Sequence, residues 1–140
     1  MSDALDAAAR ALARRDRSEA GVLEVLQRKG VAEDEAVEAV ETLKRLGAVD
    51  DERFAVAGAG SLAERGYGDI AIVFRLEREG LTRELVDRAV SALEPETERA
   101  RRLVARRGAT AKTARWLASR GFASDSVEVA IAEGEGAELG

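Results

Sequence analysis

The chain has 140 residues, a net charge of −5 and a hydrophobic share of 46%, which suits one compact domain or a short array of repeats. It contains no Cys and no His, which excludes disulfides, thiol chemistry and the commonest general base and metal ligand. No apolar run approaches the roughly 20 residues of a membrane span, and the N-terminus lacks a signal-peptide pattern, so we expect a cytoplasmic protein with no membrane contact.

The composition favours helix over strand throughout the chain. Aromatic residues make up only 4%, there is a single Pro, and Ala, Glu, Arg and Leu are frequent, all four being good helix formers. No stretch shows the sustained alternation of a half-buried strand. The sequence therefore predicts an all-α protein of about nine helices, in which Ala and Leu provide most of the packing.

Three helices are predicted before residue 47. The first spans about 3–15, the second follows an N-cap at Ser18 and ends before Gly30, and the third spans about 33–46. Ser18 can accept a hydrogen bond from the first turn of its helix. Gly30 can adopt the left-handed conformation that ends a helix. These signals predict a first three-helix unit.

The middle of the chain reads as two helices joined by a Gly66-Tyr67-Gly68 turn. Asp50 is placed to cap the first of them, and Phe54 is expected in the core. The second helix starts near Asp69. Its large apolar side chains share one broad face: Ile70, Val73, Phe74 and Leu76.

Thr82 is predicted to cap a sixth helix, and Pro95 marks the next boundary, because the residue before a proline resists the helical conformation. Three further helices are predicted at about 96–107, 110–120 and 124–133. The last residues are rich in Gly and Glu and are predicted to form a flexible tail.

An internal repeat underlies this organisation. Gly30, Gly80 and Gly121 each follow a Leu four positions earlier and precede a large apolar residue. Alignment at these glycines gives three units of three helices, the signature of a tandem array. The predicted boundaries are repeat 1 at residues 1–47, repeat 2 at 48–94, repeat 3 at 95–133 and the tail at 134–140.

Three segments of the chain resemble the RecX family, whose members regulate the RecA recombinase. They are ALARRDRSEAGVLEVLQRKGV in the first unit, LGAVDDERFA at the start of the second, and RGYG followed by RLEREGL within it. The match covers nearly the whole chain, and the stretch from Asp50 to Ala55 is its most specific part. The resemblance implies an elongated, right-handed array of three three-helix repeats.

The resemblance also implies a function. RecX proteins bind the RecA filament on single-stranded DNA and inhibit its ATPase activity, its extension and strand exchange in homologous recombination, DNA repair and the SOS response. We therefore expect a regulatory protein with RecA as its partner and, in addition, weak binding to single-stranded or duplex DNA. A monomer without a cofactor is the simplest expectation.

Two positions depart from the family pattern. Asp69 stands where RecX proteins often have Pro, and Gly58 and Gly60 stand in a helix where longer side chains are usual. Glycine inside a helix costs roughly 1 kcal/mol relative to Ala. This helix is therefore expected either to be marginal or to lie against a closely approaching backbone.

The charge distribution indicates where an acidic partner could bind. Residues 96–120 carry eight basic and two acidic side chains, and a smaller basic cluster lies at 10–17. These charges could instead form solvated faces balanced by nearby acids, and Trp116 could belong to the core rather than to an interface. The candidate partner- or DNA-binding residues are Arg10, Arg14, Arg15, Arg17, Arg65, Tyr67, Arg75, Arg99, Arg102, Arg106, Lys112 and Arg115.

Two other functions stay open. Three-helix units with glycine turns also suit a helix-turn-helix-like DNA-binding transcriptional regulator, which would bind duplex DNA alone with a steep salt dependence. A plain helical scaffold for another protein would bind neither DNA nor RecA. Without His or Cys, and without a supporting context for a Ser–Lys pair, we predict no enzyme activity, no catalytic residue and no metal site.

Overall fold

The computed structural model describes residues 3–139, and its regular structure confirms the prediction of an all-α protein. Across these residues there are nine helices and no strand. None of these helices is long and apolar enough to cross a bilayer. The helices are α1 (Asp3–Arg14), α2 (Glu19–Arg28), α3 (Glu33–Arg45), α4 (Asp51–Glu64), α5 (Asp69–Arg78), α6 (Arg83–Ser91), α7 (Glu96–Arg107), α8 (Ala111–Ser119) and α9 (Ser124–Leu139).

The hydrophobic core consists of three clusters, and each is formed mainly by three successive helices. The first cluster lies among α1, α2 and α3, the second among α4, α5 and α6, and the third among α7, α8 and α9. Leu26, Ile72 and Leu117 are the largest fully buried side chains of the respective clusters. Alanines such as Ala8 and Ala59 are also fully buried, which lets the helices approach closely.

Neighbouring units are joined through the same helix ends. The start of α2 lies against the end of α5, where the Ser18 hydroxyl donates to the Glu79 carbonyl at 2.6 Å. The start of α5 lies against the end of α8, where the Gly68 amide donates to the Arg120 carbonyl at 2.8 Å. The second helix of one unit therefore begins on the glycine turn that ends the second helix of the next.

The aligned glycines make these close approaches possible. Gly80 and Gly121 have φ angles of 80° and 87°, in the left-handed region that favours glycine. A Cβ atom on Gly121 would lie 2.5 Å from the Cβ of Ala71, and one on Gly80 would overlap the Cβ of Ala20. Each of these two glycines thus both ends its helix and admits the neighbouring helix.

The predicted apolar face of α5 is wrong in part. Ile72 and Leu76 are buried in the second cluster, whereas Ile70 and Phe74 are 62% and 60% exposed. The helix has more large apolar side chains than its buried face can hold, and side chains two residues apart point in different directions around a helix. Phe54, expected in the core, packs against the second cluster but stays partly exposed.

The prediction of a flexible tail is wrong for residues 134–139. These residues continue α9, and Gly140 lies outside the described residues. Gly134 lets α9 pack closely, because a Cβ there would lie 2.6 Å from Val104 Cγ1. The carboxylate of Glu138 also accepts a hydrogen bond from the Ala109 amide at 3.1 Å. Packing against α7 and the α7–α8 loop therefore outweighs the low helix propensity of glycine.

Candidate partner-binding surface

Tyr67 lies in the tight turn between α4 and α5, beside the second unit's boundary with the third. Gly66 adopts a φ of 86°, and the Tyr67 amide donates to the Leu62 carbonyl at 3.1 Å, which closes the end of α4. The ring packs against the second cluster while remaining partly exposed. The turn therefore fixes an aromatic ring at the surface.

Arg120, at the end of α8, connects this ring to Trp116. Its Cζ atom lies 3.8 Å from the centre of the Tyr67 ring and 5.5 Å from that of Trp116. Its guanidinium donates to the backbone carbonyls of Arg65 and of Gly66, the latter at 3.4 Å. These bonds hold a cation between two rings that belong to different units.

Three more arginines lie against the same two rings. Arg75 is 4.3 Å from the centre of Tyr67 and donates to its hydroxyl at 3.1 Å. Arg65 lies 5.5 Å from that ring, and Arg107 lies 3.7 Å from Trp116. We refer to these six residues as the arginine–aromatic surface, which consists of Arg65, Tyr67, Arg75, Arg107, Trp116 and Arg120.

The positive charge of this surface is not neutralised by any carboxylate of the described residues. Among residues 3–139, none of its four arginines has a carboxylate within ion-pair distance. Desolvation raises the pKa of the Tyr67 hydroxyl, but the guanidiniums of Arg120, Arg75 and Arg65 together outweigh it, so the pKa lies below its ordinary value. The surface can therefore accept an anionic group from a partner.

The arginines of α7 show how selective this arrangement is. Arg101 pairs with Glu98 and Glu133, and Arg102 pairs with Glu94. Arg107 on the same helix has no acidic partner in the described part of the chain and lies on Trp116 instead. Only part of the basic segment is thus free to bind an external anion.

Arg99 is the predicted site residue that the structure withdraws from the surface. It is only 7% exposed, and its two terminal nitrogens donate to Asp69 Oδ1 at 2.9 and 2.7 Å. Burial raises the pKa of the Asp69 carboxyl, and the nearby Arg99 charge opposes that shift. Arg99 therefore joins α7 to the start of α5, and Asp69, which departs from the family pattern, is its partner.

The other predicted residues divide into three groups. Arg65, Tyr67 and Arg75 are brought together on the arginine–aromatic surface. Arg102 and Arg106 line a groove between α4 and α7 with Gly60 as a further lining residue, and Lys112 and Arg115 are exposed on α8. The remaining four lie on α1 and the loop after it, namely Arg10, Arg14, Arg15 and Arg17.

Three members of the surface were not among the predicted site residues: Arg107, Trp116 and Arg120. Trp116 does pack against the third cluster, as a core residue would, but it also carries Arg107 on its ring. Arg120 directly precedes Gly121 and Arg65 directly precedes Gly66, so each of them lies at the C-terminal end of its helix.

No cluster of potential metal ligands accompanies this surface in the described part of the chain. Within residues 3–139, no three His, Cys, Asp or Glu side chains are close enough together to hold an ion. The candidate site is therefore described by its cations and rings alone.

Comparisons with known proteins connect this architecture to one family. Residues 4–43 match a family model described as "RecX, first three-helix domain". A "Regulatory protein RecX" of Xanthomonas oryzae pv. oryzae (strain MAFF 311018) is 35% identical, with 85% of this chain and 81% of the relative covered. One of Trichlorobacter lovleyi is 34% identical, with 90% and 92% covered.

Two solved structures share the fold. A crystal structure of RecX from Lactobacillus salivarius superimposes with a TM-score of 0.81 over 94% of each chain, at 19% identity. A second crystal structure, of regulatory protein RecX, gives a TM-score of 0.71 over 89% of this chain and 70% of the other, at 20% identity.

Proposed function

This chain belongs to the RecX family, and from that premise we propose that it regulates the RecA recombinase. It binds RecA filaments on single-stranded DNA and inhibits their ATPase activity, their extension and strand exchange. The proposed activity belongs to recombination and DNA repair in the cytoplasm. Membership of a family of regulatory proteins agrees with a role that needs no catalytic group.

The observation that supports this proposal best is the unneutralised charge of the arginine–aromatic surface. A filament on single-stranded DNA offers phosphates and carboxylates, and guanidinium groups bind both through charge-assisted hydrogen bonds. Such contacts also guide association and weaken as salt screens the charges. An acidic protein with a concentrated basic surface would therefore meet the filament in a preferred orientation.

The junction between the second and third units supports a mechanism by obstruction. The carboxylate of Glu96 accepts from the Asp69 amide at 2.7 Å and from the Ala123 amide at 3.1 Å. The Asp69–Glu96 bond and the Arg99–Asp69 pair join the two units. The bond from Ala123 positions the Glu96 carboxylate within the third unit. An array of joined units, bound across neighbouring RecA protomers, would hinder their movement and the addition of further protomers.

The proposal is tested by titrating RecA ATPase activity on single-stranded DNA with this protein at low and high salt. We expect the rate of ATP hydrolysis to fall when less than one copy of this protein is present per RecA protomer. The decrease should be less steep at the higher salt concentration. An unchanged rate at an excess of folded protein would reject the proposal. Tight binding to duplex DNA in the same preparation would then favour the DNA-binding regulator instead.

A further inference from the structure

The outward face of α5 exposes two large apolar side chains one helical turn apart. Ile70 and Phe74 are 62% and 60% exposed, and residues four apart are neighbours on a helix surface. Of the five aromatic residues in the chain, Phe74 is the only one that is exposed to this extent. Together they form an apolar ridge beside the arginine–aromatic surface.

The fold does not require this ridge. Ile72 and Leu76 already hold α5 in the second cluster, where both are buried. Exposed apolar side chains gain free energy only when another surface covers them. The ridge is therefore suited to an intermolecular contact rather than to the stability of the chain.

The charges beside the ridge indicate what kind of molecule covers it. Arg78 lies 5.7 Å from the centre of the Phe74 ring, and Arg75 follows Phe74 on the helix. Neither has a carboxylate within ion-pair distance among residues 3–139, while Glu77 on the same helix is likewise unpaired. By helical spacing Arg78 and Glu77 lie one turn from Phe74. Arg75 lies at the edge of the ridge, against the Tyr67 ring.

We propose that this face of α5, formed by Ile70 and Phe74 with Arg75 and Arg78 beside them, docks a protein segment that carries apolar and acidic side chains. A nucleic acid backbone would satisfy the arginines but would leave the aliphatic side chain of Ile70 without a partner. A second copy of the chain, paired through the same face by two-fold symmetry, would bring four arginines together against two glutamates. An acidic segment of a different protein matches both features.

This inference rests on the proposed function in one respect, because the segment is taken to belong to the protein part of the RecA filament. Ile70 and Phe74 would then bind apolar side chains of that protein. Arg78 and the arginine–aromatic surface, which includes Arg75, would bind anionic groups. The two contributions are separable by experiment, since apolar contacts depend little on salt and ionic contacts depend on it strongly.

The test compares the affinities of three proteins for labelled RecA filaments on single-stranded DNA and for the same DNA without RecA. They are the wild-type chain, Ile70→Ser/Phe74→Ser, and the control Val37→Ser/Leu46→Ser. The control removes two apolar side chains that are 45% and 73% exposed in the first unit. Thermal unfolding of each protein shows whether the substitutions leave the fold intact.

We expect the α5 variant to bind filaments about tenfold or more weakly than wild type, with an unchanged dependence on salt. The control should stay within about twofold of wild type. Binding to DNA alone should be the same for all three proteins. Arg78→Glu should also weaken filament binding, and in contrast it should flatten the salt dependence.

Several outcomes would overturn the inference. Equal filament binding by wild type and the α5 variant would show that the ridge is not in contact with the filament. Parallel loss of binding to DNA alone would assign the face to nucleic acid, and a wild-type dimer that dissociates in the variant would assign it to self-association. A wild-type chain that does not bind filaments would reject the proposed function itself, and this choice of partner with it.

Discussion

The guanidinium carbon of Arg120 lies 3.8 Å from the centre of the Tyr67 ring, across the boundary between the second and third units. The same side chain reaches backbone carbonyls of the second unit. One arginine thus contributes both to the junction and to the proposed binding surface. The geometry of that surface consequently depends on the way in which the two units are joined.

Titration of Tyr67 tests this relationship directly, because it is the only tyrosine in the chain. Its pKa is expected to lie below the ordinary value of about 10, since the charges of Arg120, Arg75 and Arg65 favour the phenolate. Replacement of Arg120 by Gln should raise the pKa, as followed by near-ultraviolet absorbance. Arg45→Gln is the control, and a wild-type pKa at or above the ordinary value would contradict the described arrangement.

The ion pair between the buried Arg99 and the partly exposed Asp69 should contribute strongly to stability. Asp69→Ala leaves a buried guanidinium without its carboxylate, and loss of one partner of a buried pair costs about 3–5 kcal/mol. Because the Asp69 side chain is 38% exposed, we expect a loss of about 3 kcal/mol in the free energy of unfolding. Unfolding of the wild type and the variant in denaturant measures this difference in free energy.

The matched control for that experiment is Asp87→Ala. Asp87 is exposed on α6 and makes no ion pair within the described chain, so its replacement should change stability by no more than about 0.5 kcal/mol. Equal effects of the two substitutions would show that the Arg99–Asp69 pair does not hold the units together.

Substitution of Gly80 and of Gly30 by Ala distinguishes two contributions to stability. One is the free-energy cost of a left-handed backbone conformation, and the other is the cost of steric overlap between neighbouring units. Both have positive φ, at 80° and 78°, but only a Cβ on Gly80 would overlap a neighbouring unit, at Ala20. Both Ala variants should lose roughly 1–2 kcal/mol for the backbone conformation. Gly80→Ala should lose about 1–3 kcal/mol more because of the overlap, and equal melting curves would contradict the close contact.

Gly58 and Gly60 should respond differently to Ala although both lie inside α4. A Cβ on Gly60 meets nothing within 4 Å, so Gly60→Ala should stabilise the chain by about 0.5–1 kcal/mol through helix propensity. A Cβ on Gly58 would lie 3.0 Å from Leu76 Cδ2, so Gly58→Ala should stabilise the chain less than Gly60→Ala does, or should destabilise it. Calorimetry of both variants measures their relative stability. A Gly58→Ala variant more stable than Gly60→Ala would contradict the close contact at Gly58.

Much of the local structure was predictable because its causes lie within a few residues. The predicted caps are confirmed: the Asp50 carboxylate accepts from the Arg53 amide at 3.1 Å, and the Ser18 hydroxyl accepts from the Gly21 amide at 3.0 Å. Such caps follow from short spacings in the sequence. The glycine-bearing helix was expected to be marginal or to meet a close backbone; at Gly58 its close neighbour is instead the Leu76 side chain, and nothing lies within 4 Å of a Cβ on Gly60.

Features that depend on distant residues were not predictable in this way. The burial of Arg99 depends on Asp69, which lies 30 residues earlier in the chain. The helical structure of residues 134–139 depends on packing against Val104 and Ala109. Composition showed that residues 96–120 are basic, but not which arginines face carboxylates and which face aromatic rings.

The proposed binding surface was predicted in part for the same reason. Arg65, Tyr67 and Arg75 belong to one turn and the helix after it, so their proximity follows from local structure. Arg107, Trp116 and Arg120 join them only because the third unit packs against the second. Which arginines of residues 96–120 contact aromatic rings rather than carboxylates therefore depends on how the second and third units pack together.

The most direct test of the central claim is the affinity of two doubly charge-reversed variants for RecA filaments on single-stranded DNA. Arg75→Glu/Arg107→Glu alters the arginine–aromatic surface, and Arg28→Glu/Arg45→Glu alters exposed arginines of the first unit. Each replacement lowers the net charge by two, so both variants change it from −5 to −9. We predict a loss of about tenfold or more for the first variant and a change within about twofold for the second. Equal losses, or no loss in the first variant, would contradict the claim that this surface binds the filament.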